Sequence, residues 1–241
     1  MKDKILIFII TYRASYRVLK VVQKIPFSYL KNKNFKIYIS DDDSRDETIN
    51  YIKQIKKKYK SKVKVNLIKK NVGYGANIKK CINYAYKNKF SHAVMIHGDN
   101  QYNPKYIVKM LDNLFKYKET AATVGSRMTK KINALKGKMP LYKFVGNIFL
   151  TGIFNLFYRT KFTDCHTGYW AYNLKLIKKN TFKNLDNNFC FDIDLRLQLV
   201  SEGKYIKEIP IETFYGTERS SIHFVYALRF FFKTIIFKLF K

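Results

Sequence analysis

The chain has 241 residues, 47% of them hydrophobic, which is enough for one large α/β domain with a full core. Its formal net charge of +30 is compatible with nucleic-acid binding, with an anionic membrane surface, or with a lysine-rich composition that carries no function. Cys81, Cys165 and Cys190 are few and scattered, which excludes a zinc or disulfide framework and fits a reducing cytosol.

The apolar run 5–10 predicts a first buried strand. It is too short for the core of a signal peptide, and no small-residue cleavage site follows. Helical patterns at 16–24, 47–58, 75–87 and 104–117 then alternate with strand-like runs at 35–39, Val63–Ile68, 93–96 and 121–124. Pro104 suits the first turn of its helix. Near-continuously apolar strands alternating with helices predict a mostly parallel sheet covered on both faces, with right-handed crossovers.

The second half has a different character. Residues 141–158 are strongly apolar, but Lys143, Asn147, Thr151 and Asn155 recur every fourth position and Arg159 continues the series. A helix there carries one polar stripe on an otherwise apolar cylinder. At 224–241, Phe231, Phe232, Ile235, Ile236 and Leu239 share a face, and Arg229, Lys233, Lys238 and Lys241 lie largely opposite. Basic, aromatic helices of this kind suit a bilayer interface. The competing expectation packs both helices on the domain. No apolar run reaches ~18–20 residues, so no simple membrane span is expected.

Two acidic clusters close strands. His97-Gly98-Asp99-Asn100-Gln101 ends the run 93–96, and Asp41-Asp42-Asp43-Ser44-Arg45-Asp46 ends the run 35–39. In open α/β sheets the carboxyl ends of the strands are where ligands bind. Asp99 and Gln101 offer hard oxygens that suit Mg²⁺ or Mn²⁺ shared with substrate phosphates. Capping of the next helix accounts for Ser44 or Asp46. It does not account for Asp41 and Asp42, which can accept hydrogen bonds from a base or a ribose. Acidic strand ends also argue against a nucleic-acid partner, whose phosphates they would repel.

In order along the chain come Ile9-Ile10-Thr11-Tyr12, Asp41-Asp42-Asp43-Ser44, Asn71-Val72-Gly73-Tyr74-Gly75, Asp99-Asn100-Gln101 with Pro104, Gly125-Ser126-Arg127, and Asp164-Cys165-His166-Thr167-Gly168-Tyr169. This series resembles the inverting family 2 glycosyltransferases, and within them the dolichyl-phosphate mannose synthase and polyprenyl-phosphate sugar transferase branch. The resemblance implies a Rossmann-like GT-A fold over 1–222, including the helix at 141–159, followed by a basic amphipathic C-terminal helix at 223–241. It also implies a nucleoside diphosphate sugar as donor, gripped by Thr11, Tyr12, Asp41, Asp42, Asn71, Gly73, Gly98, Asp99 and Arg127. A divalent cation would be held by Asp99 and Gln101, with His97 standing where the family usually has an Asp.

Two acceptors follow from the chemistry. A polyprenyl phosphate is already ionised and needs only cationic positioning, for which Arg219, Ser220, Ser221, Lys138 and Lys143 are the candidates. A hydroxyl of a cell-surface glycan needs a base, and Asp192 or Asp194 is the candidate, each with Arg196 on the same helix as an alternative ion-pair partner. Asp99 and Arg127 would stabilise the leaving diphosphate in either case. The expected location is the cytoplasm, peripherally on the cytoplasmic face of a membrane.

Overall fold

A computed structural model describes residues 3–213, 215 and 224–239. The chain runs β1 (Lys4–Thr11), α1 (Arg17–Gln23), α2 (Phe27–Leu30), β2 (Asn34–Asp42), α3 (Thr48–Tyr59), β3 (Val63–Ile68), α4 (Tyr74–Lys87), β4 (His92–His97) and α5 (Tyr106–Lys116). It continues through β5 (Thr120–Ser126), α6 (Lys131–Lys136), α7 (Leu141–Tyr158), β6 (Trp170–Asn173), α8 (Phe191–Ser201), β7 (Tyr205–Pro210) and α9 (Phe224–Leu239).

The seven strands form one sheet in the order β3-β2-β1-β4-β6-β5-β7. β1 is apolar throughout because both of its faces are covered. Ile5, Ile7 and Ile9 pack in one layer with Val18, Ile52, Ile107 and Met110 of α1, α3 and α5. Leu6, Phe8 and Ile10 pack in the other with Ile78 and Ile82 of α4 and Leu195 and Leu199 of α8. Each such buried side chain contributes about 1.5–3 kcal/mol relative to exposure, so the alternation within one strand holds the helices to both faces.

β1, β2, β3 and β4 are mutually parallel, as the alternating pattern predicts. Their register sets Thr11 opposite Asp41, Ile10 opposite His97 and Asp42 opposite Ile68. Both acidic clusters therefore leave the sheet at the same edge. Two strands were not visible in the sequence pattern. β6 is four residues long and slots antiparallel between β4 and β5, and β7 pairs in parallel with β5. Trp170-Ala171-Tyr172-Asn173 is too short to carry a period of its own, and becomes a strand because its neighbours supply both ladders.

α7 turns its polar stripe inward. Asn147, Thr151 and Phe154 are the buried residues of the helix, while Leu141, Tyr142, Val145, Phe149 and Leu156 point out, Tyr142 70% and Leu156 77% exposed. The stripe is a hydrogen-bond ladder for the 160–166 segment. Asn147 donates to Asp164 at 2.8 Å, Thr151 accepts from the Cys165 amide at 3.2 Å, and Asn155 bonds both the amide and the carbonyl of Phe162 at 2.9 and 2.8 Å. α9 differs from the sequence expectation in a similar way. Its Phe230 and Thr234 are buried and Lys233 points to carboxylates on the domain, while Val225, Leu228, Phe232, Ile236 and Leu239 are exposed. Each helix packs on the domain, as the competing expectation has it, and still leaves an apolar face uncovered. No helix among the described residues is long and apolar enough to cross a membrane.

Phe154 is the pin of this layer, packed with Cys165, Cys190, Ile193, Leu197 and Phe230. Phe154→Ala is expected to cost about 3–5 kcal/mol in urea unfolding, the range for a fully buried aromatic truncated in a close-packed core.

Candidate active site

The carboxyl edge of the sheet is where the backbone is most strained. Arg13 and Ser15 after β1, Asp43 after β2 and Asn100 after β4 all adopt left-handed conformations, with φ of 50°, 49°, 64° and 64°. Such residues cost about 1–3 kcal/mol each and gather where loops are shaped for a ligand. Gly73, at φ 95°, needs to be glycine twice over, since a Cβ there would lie 2.6 Å from Asn188 Oδ1. At Gly98 a Cβ would lie 2.8 Å from Thr11 Cβ and Oγ1, so β1 and β4 can close at their ends only over a glycine.

The first acidic cluster is a self-supporting frame. Asp41 is fully buried and accepts from the Ser44 amide at 2.8 Å and the Ser44 hydroxyl at 2.6 Å. Ser44 Oγ in turn accepts from the Arg13 amide at 2.7 Å. Desolvation pushes the Asp41 carboxyl up, and its bonds to Ser44 pull it back. Asp42 accepts from the amides of Val72 and Gly73 at 2.9 and 3.0 Å, and Asn71 donates to the Asp42 carbonyl at 3.1 Å. Asp41, Asp42, Asn71 and Gly73 are thus brought together, with much of their hydrogen-bonding capacity spent on fixing the loops between β1, β2 and α4. Tyr12 stands out from that frame 47% exposed, with Arg13 Cζ 5.1 Å from its ring centre. An exposed aromatic ring on a rigid acidic shelf is a surface on which a flat base can stack.

The second cluster carries the candidate cation ligands. Asp99 accepts from the Gln101 amide at 2.9 Å, which fixes the turn. Thr11 Oγ1, packed against Gly98, is buried without a protein partner. His97 is held differently from the other two candidates. Its Nε2 lies 3.2 Å from the Tyr74 hydroxyl, and its ring stands edge-on to both Tyr74 and Tyr102. Desolvation lowers its pKa, which keeps the imidazole neutral. Among the described residues no three His, Cys, Asp or Glu side chains converge. That donor set fits Mg²⁺ or Mn²⁺ rather than a cage-bound metal, because these ions take one or two carboxylates and complete their shell with water and substrate phosphates. Asp99 and Gln101 are the residues that would hold it.

Arg127 is tied down by a buried carboxylate. Its Nε and Nη2 donate to the two oxygens of Asp164 at 2.7 and 2.9 Å, Nη2 also reaches the His166 carbonyl at 2.9 Å, and Nη1 reaches the Tyr215 hydroxyl at 3.0 Å. Asp164 is fully buried, and the Arg127 charge holds its carboxyl well below the usual range against the opposing effect of desolvation. Of the cationic acceptor candidates, Lys138 has a left-handed backbone at φ 61° and Lys143 lies 5.6 Å from the Tyr215 ring centre. Arg219, Ser220 and Ser221 lie outside the described residues.

Asp192 and Asp194, two residues apart on α8, face different surroundings. Asp194 is clasped by Lys233 of α9 at 2.8 Å through both oxygens and accepts from the Asp186 amide at 2.9 Å. It anchors the C-terminal helix. Asp192 accepts from Tyr74 at 2.7 Å, while its Oδ1 is buried without a protein partner. Burial pushes its carboxyl up to about 7, against the Tyr74 bond and the charges of Arg196 and Arg127. A carboxyl poised near neutrality can exchange a proton with a substrate.

A profile of Glycosyl transferase family 2 matches residues 6–181, well over half of the chain. The chain belongs to that family. Two uncharacterized proteins of Methanocaldococcus jannaschii are similar in sequence. MJ0544 is 28% identical over 190 residues, covering 76% of this chain and 78% of that protein. MJ1222 is 29% identical over 217 residues, covering 88% and 84%. Among solved structures, glucosyl-3-phosphoglycerate synthase from Mycobacterium tuberculosis, in complex with Mn²⁺, uridine diphosphate and glucosyl-3-phosphoglycerate, superposes with a TM-score of 0.67. It is 12% identical and covers 98% of this chain and 80% of its own. The same synthase with Mg²⁺ and uridine diphosphate gives 0.65 at 12% identity, covering 98% and 79%. At that identity the likeness is one of fold, and the fold is GT-A.

In this glycosyltransferase three residues near the site escaped functional assignment from sequence. Tyr74 bridges His97 and Asp192 across 118 residues of sequence from the latter. Lys233 clasps Asp194, and Arg196 lies fully buried one helical turn after Asp192. The only sequence signal was the four-residue spacing of Asp192 and Arg196, which predicts a direct pair, yet Asp192 Oδ1 and Arg196 Nε and Nη1 all lack a partner.

Two measurements test these assignments. Asp164→Ala leaves a buried guanidinium unpaired and is expected to cost about 3–5 kcal/mol in urea unfolding at pH 7. Asp192 is the opposite case. Its folded pKa lies above the unfolded value of about 3.9, so its contribution to stability is full below that value and is lost as pH rises through about 7. Asp192→Asn is therefore expected to gain in Tm relative to the parent between pH 5 and pH 8.5, as differential scanning calorimetry would read.

Proposed function

We propose that this family 2 enzyme transfers a sugar, with inversion, from a nucleoside diphosphate sugar to a polyprenyl phosphate at an anionic membrane surface. The observation that carries the acceptor is the inverted helix α7. Burying a polar stripe and exposing Leu141, Tyr142, Val145, Phe149 and Leu156 wastes apolar area unless something covers it. α9, packed beside it, adds Leu228, Phe232, Ile236 and Leu239, and the segment between β5 and α7 supplies Lys130, Lys131, Lys136 and Lys138. Apolar side chains flanked by lysines match an acyl boundary under anionic headgroups, where each cation adds about 1 kcal/mol. The high net charge of +30 acts in the same direction.

The residues divide the work as follows. Tyr12 and the Asp41–Asp42 frame receive the nucleoside, and Thr11 and Gly98 set how closely the diphosphate approaches the strand ends. Asp99 and Gln101 would hold Mg²⁺ or Mn²⁺, which when bound offsets negative charge on the leaving diphosphate. The M. tuberculosis synthase of the same fold, solved with Mn²⁺, uridine diphosphate and glucosyl-3-phosphoglycerate, supports a divalent cation and a nucleoside diphosphate as ligands here. Arg127, locked by Asp164, lends its charge to the site through a rigid mount rather than a free side chain. A phosphate acceptor is ionised at neutral pH, so no base is required of the protein.

A second reading is favoured by one observation. Asp192, held at about 7 with one unpartnered oxygen, is the carboxyl that a hydroxyl acceptor would need. Asp194, engaged by Lys233, is not available for that role.

The test is a panel of radiolabelled nucleotide sugars offered with a short polyprenyl phosphate or a glycan hydroxyl, with and without Mn²⁺. Label entering an organic-soluble, mild-acid-labile product that survives Asp192→Asn is expected. Label entering only water-soluble glycan, and lost in Asp192→Asn, would overturn the lipid acceptor in favour of the second reading. Asp99→Ala is expected to abolish cation-dependent turnover in either case.

A further inference from the structure

Five buried polar atoms without a protein partner sit on three residues of one region: Asp192 Oδ1, Arg196 Nε and Nη1, and His166 Nδ1 and Nε2. Each unpaired buried group costs about 1–3 kcal/mol, and more when it is charged. Five of them together would cancel much of a domain's net stability of about 5–15 kcal/mol. They are not scattered. Asp192 and Arg196 are four residues apart on α8 and so lie on the same side of the helix. The Arg196 charge acts on both Asp192 and His166.

The setting of Arg196 narrows what can satisfy it. The residue is 0% exposed. Its Cζ lies 4.5 Å from the Phe162 ring centre and 5.1 Å from that of Trp170, and Nη2 donates to the Asp164 carbonyl at 3.2 Å. Aromatic contacts and one hydrogen bond thus fix the guanidinium, and Nε and Nη1 remain. His166 is neutral, with its pKa lowered to about 4 by burial first and by the Arg127 and Arg196 charges, and its ring stacks on Phe230 of α9 at 5.0 Å. Buried polar atoms that find no protein partner are where ordered internal water is held, each molecule typically making about three hydrogen bonds.

We propose that Arg196 is a positioning residue: it anchors buried water that links its guanidinium to Oδ1 of Asp192, with His166 as the third polar wall of the chamber. The water-mediated link lets Arg196 act on Asp192 without closing it off as a direct salt bridge would. The other titratable or charged groups facing Asp192 are Tyr74 of α4, Arg127 after β5 and Tyr172 of β6. Lys233 of α9 is spent on Asp194 and Asp186. The inference goes beyond the transfer reaction and does not depend on which acceptor is used.

The experiment needs no turnover. Protein labelled with ¹³C at the aspartate carboxyl carbons is titrated by NMR, and the Asp192 resonance is identified by its loss in Asp192→Asn. Its midpoint in the parent protein is expected near 7. Arg196→Met is expected to raise that midpoint by about one unit, a tenfold gain in proton affinity, and Arg196→Lys to keep it within about 0.3 unit of the parent. A midpoint in Arg196→Met within about 0.3 unit of the parent would overturn the proposal, because a merely structural arginine would lower Tm and leave this titration in place. A high-resolution crystal structure of the parent protein gives a readout that needs no variant to fold. Water density within hydrogen-bond distance of both Asp192 Oδ1 and Arg196 supports the link, and a dry chamber refutes it.

Discussion

The carboxylate of Asp164 is the point on which the second half of the molecule is hung. Fully buried, it collects the two-pronged guanidinium of Arg127, the amides of Arg127 and His166, and the side chain of Asn147. Those bonds join the end of β5, the loop that leads into β6, and the inner face of α7. A buried charge is tolerable only when paired and saturated with hydrogen bonds, and this one is both. Because both ends of the pair are so fully committed, neither can change partner without exposing the other. The geometry around Arg127 and His166 is therefore fixed before any ligand arrives.

The parallel half of the sheet works by a different constraint. Parallel register brings Thr11, Asp41, Asp42 and His97 out at one edge. The loops that leave that edge are bent through left-handed residues and bonded to one another through Ser44 and Asp42. Asp41 and Asp42, which would repel in isolation, are held by backbone amides and the Ser44 hydroxyl rather than by cations. A carboxylate that already accepts two amides is rigid. What the edge leaves for a ligand is chiefly Asp99, the Thr11 hydroxyl and the exposed ring of Tyr12, a small set whose positions are set by everything behind it.

Between these halves lies α8, where two aspartates diverge. One turns to α9 and becomes part of the clasp that holds the C-terminal helix. The other turns to Tyr74, and through it to His97 at the end of β4. The exposed apolar faces of α7 and α9 lie on the helix layer that this clasp secures. A contact on those faces would press on α9, which itself reaches His166 through Phe230 and Asp194 through Lys233.

Local pattern was sufficient for much of this. Apolar runs and their spacing gave β1 to β5 and, among them, α1, α3, α4 and α5 but not the single turn α2, because a strand covered on both faces and a helix with one apolar stripe each write their period into the chain. Acidic clusters directly after such runs sufficed to place the candidate site at the carboxyl edge. The family motifs added the identity of the fold. Pattern failed where the deciding partner is distant in sequence. Periodicity revealed the polar stripe of α7 but not that it faces inward, since that depends on Asp164 waiting below it. The sequence cannot tell Asp192 from Asp194, since Tyr74 comes to one from 118 residues before it and Lys233 to the other from 39 residues after it. β6 exists only because β4 and β5 leave a gap that fits it. The sequence by itself determined the strands of the parallel half, most of the helices, and which edge carries the carboxylates. The tertiary structure alone decided which face each helix shows and which charges are spent on holding the fold, because a period fixes spacing along an element, while burial and pairing are settled by what packs against it.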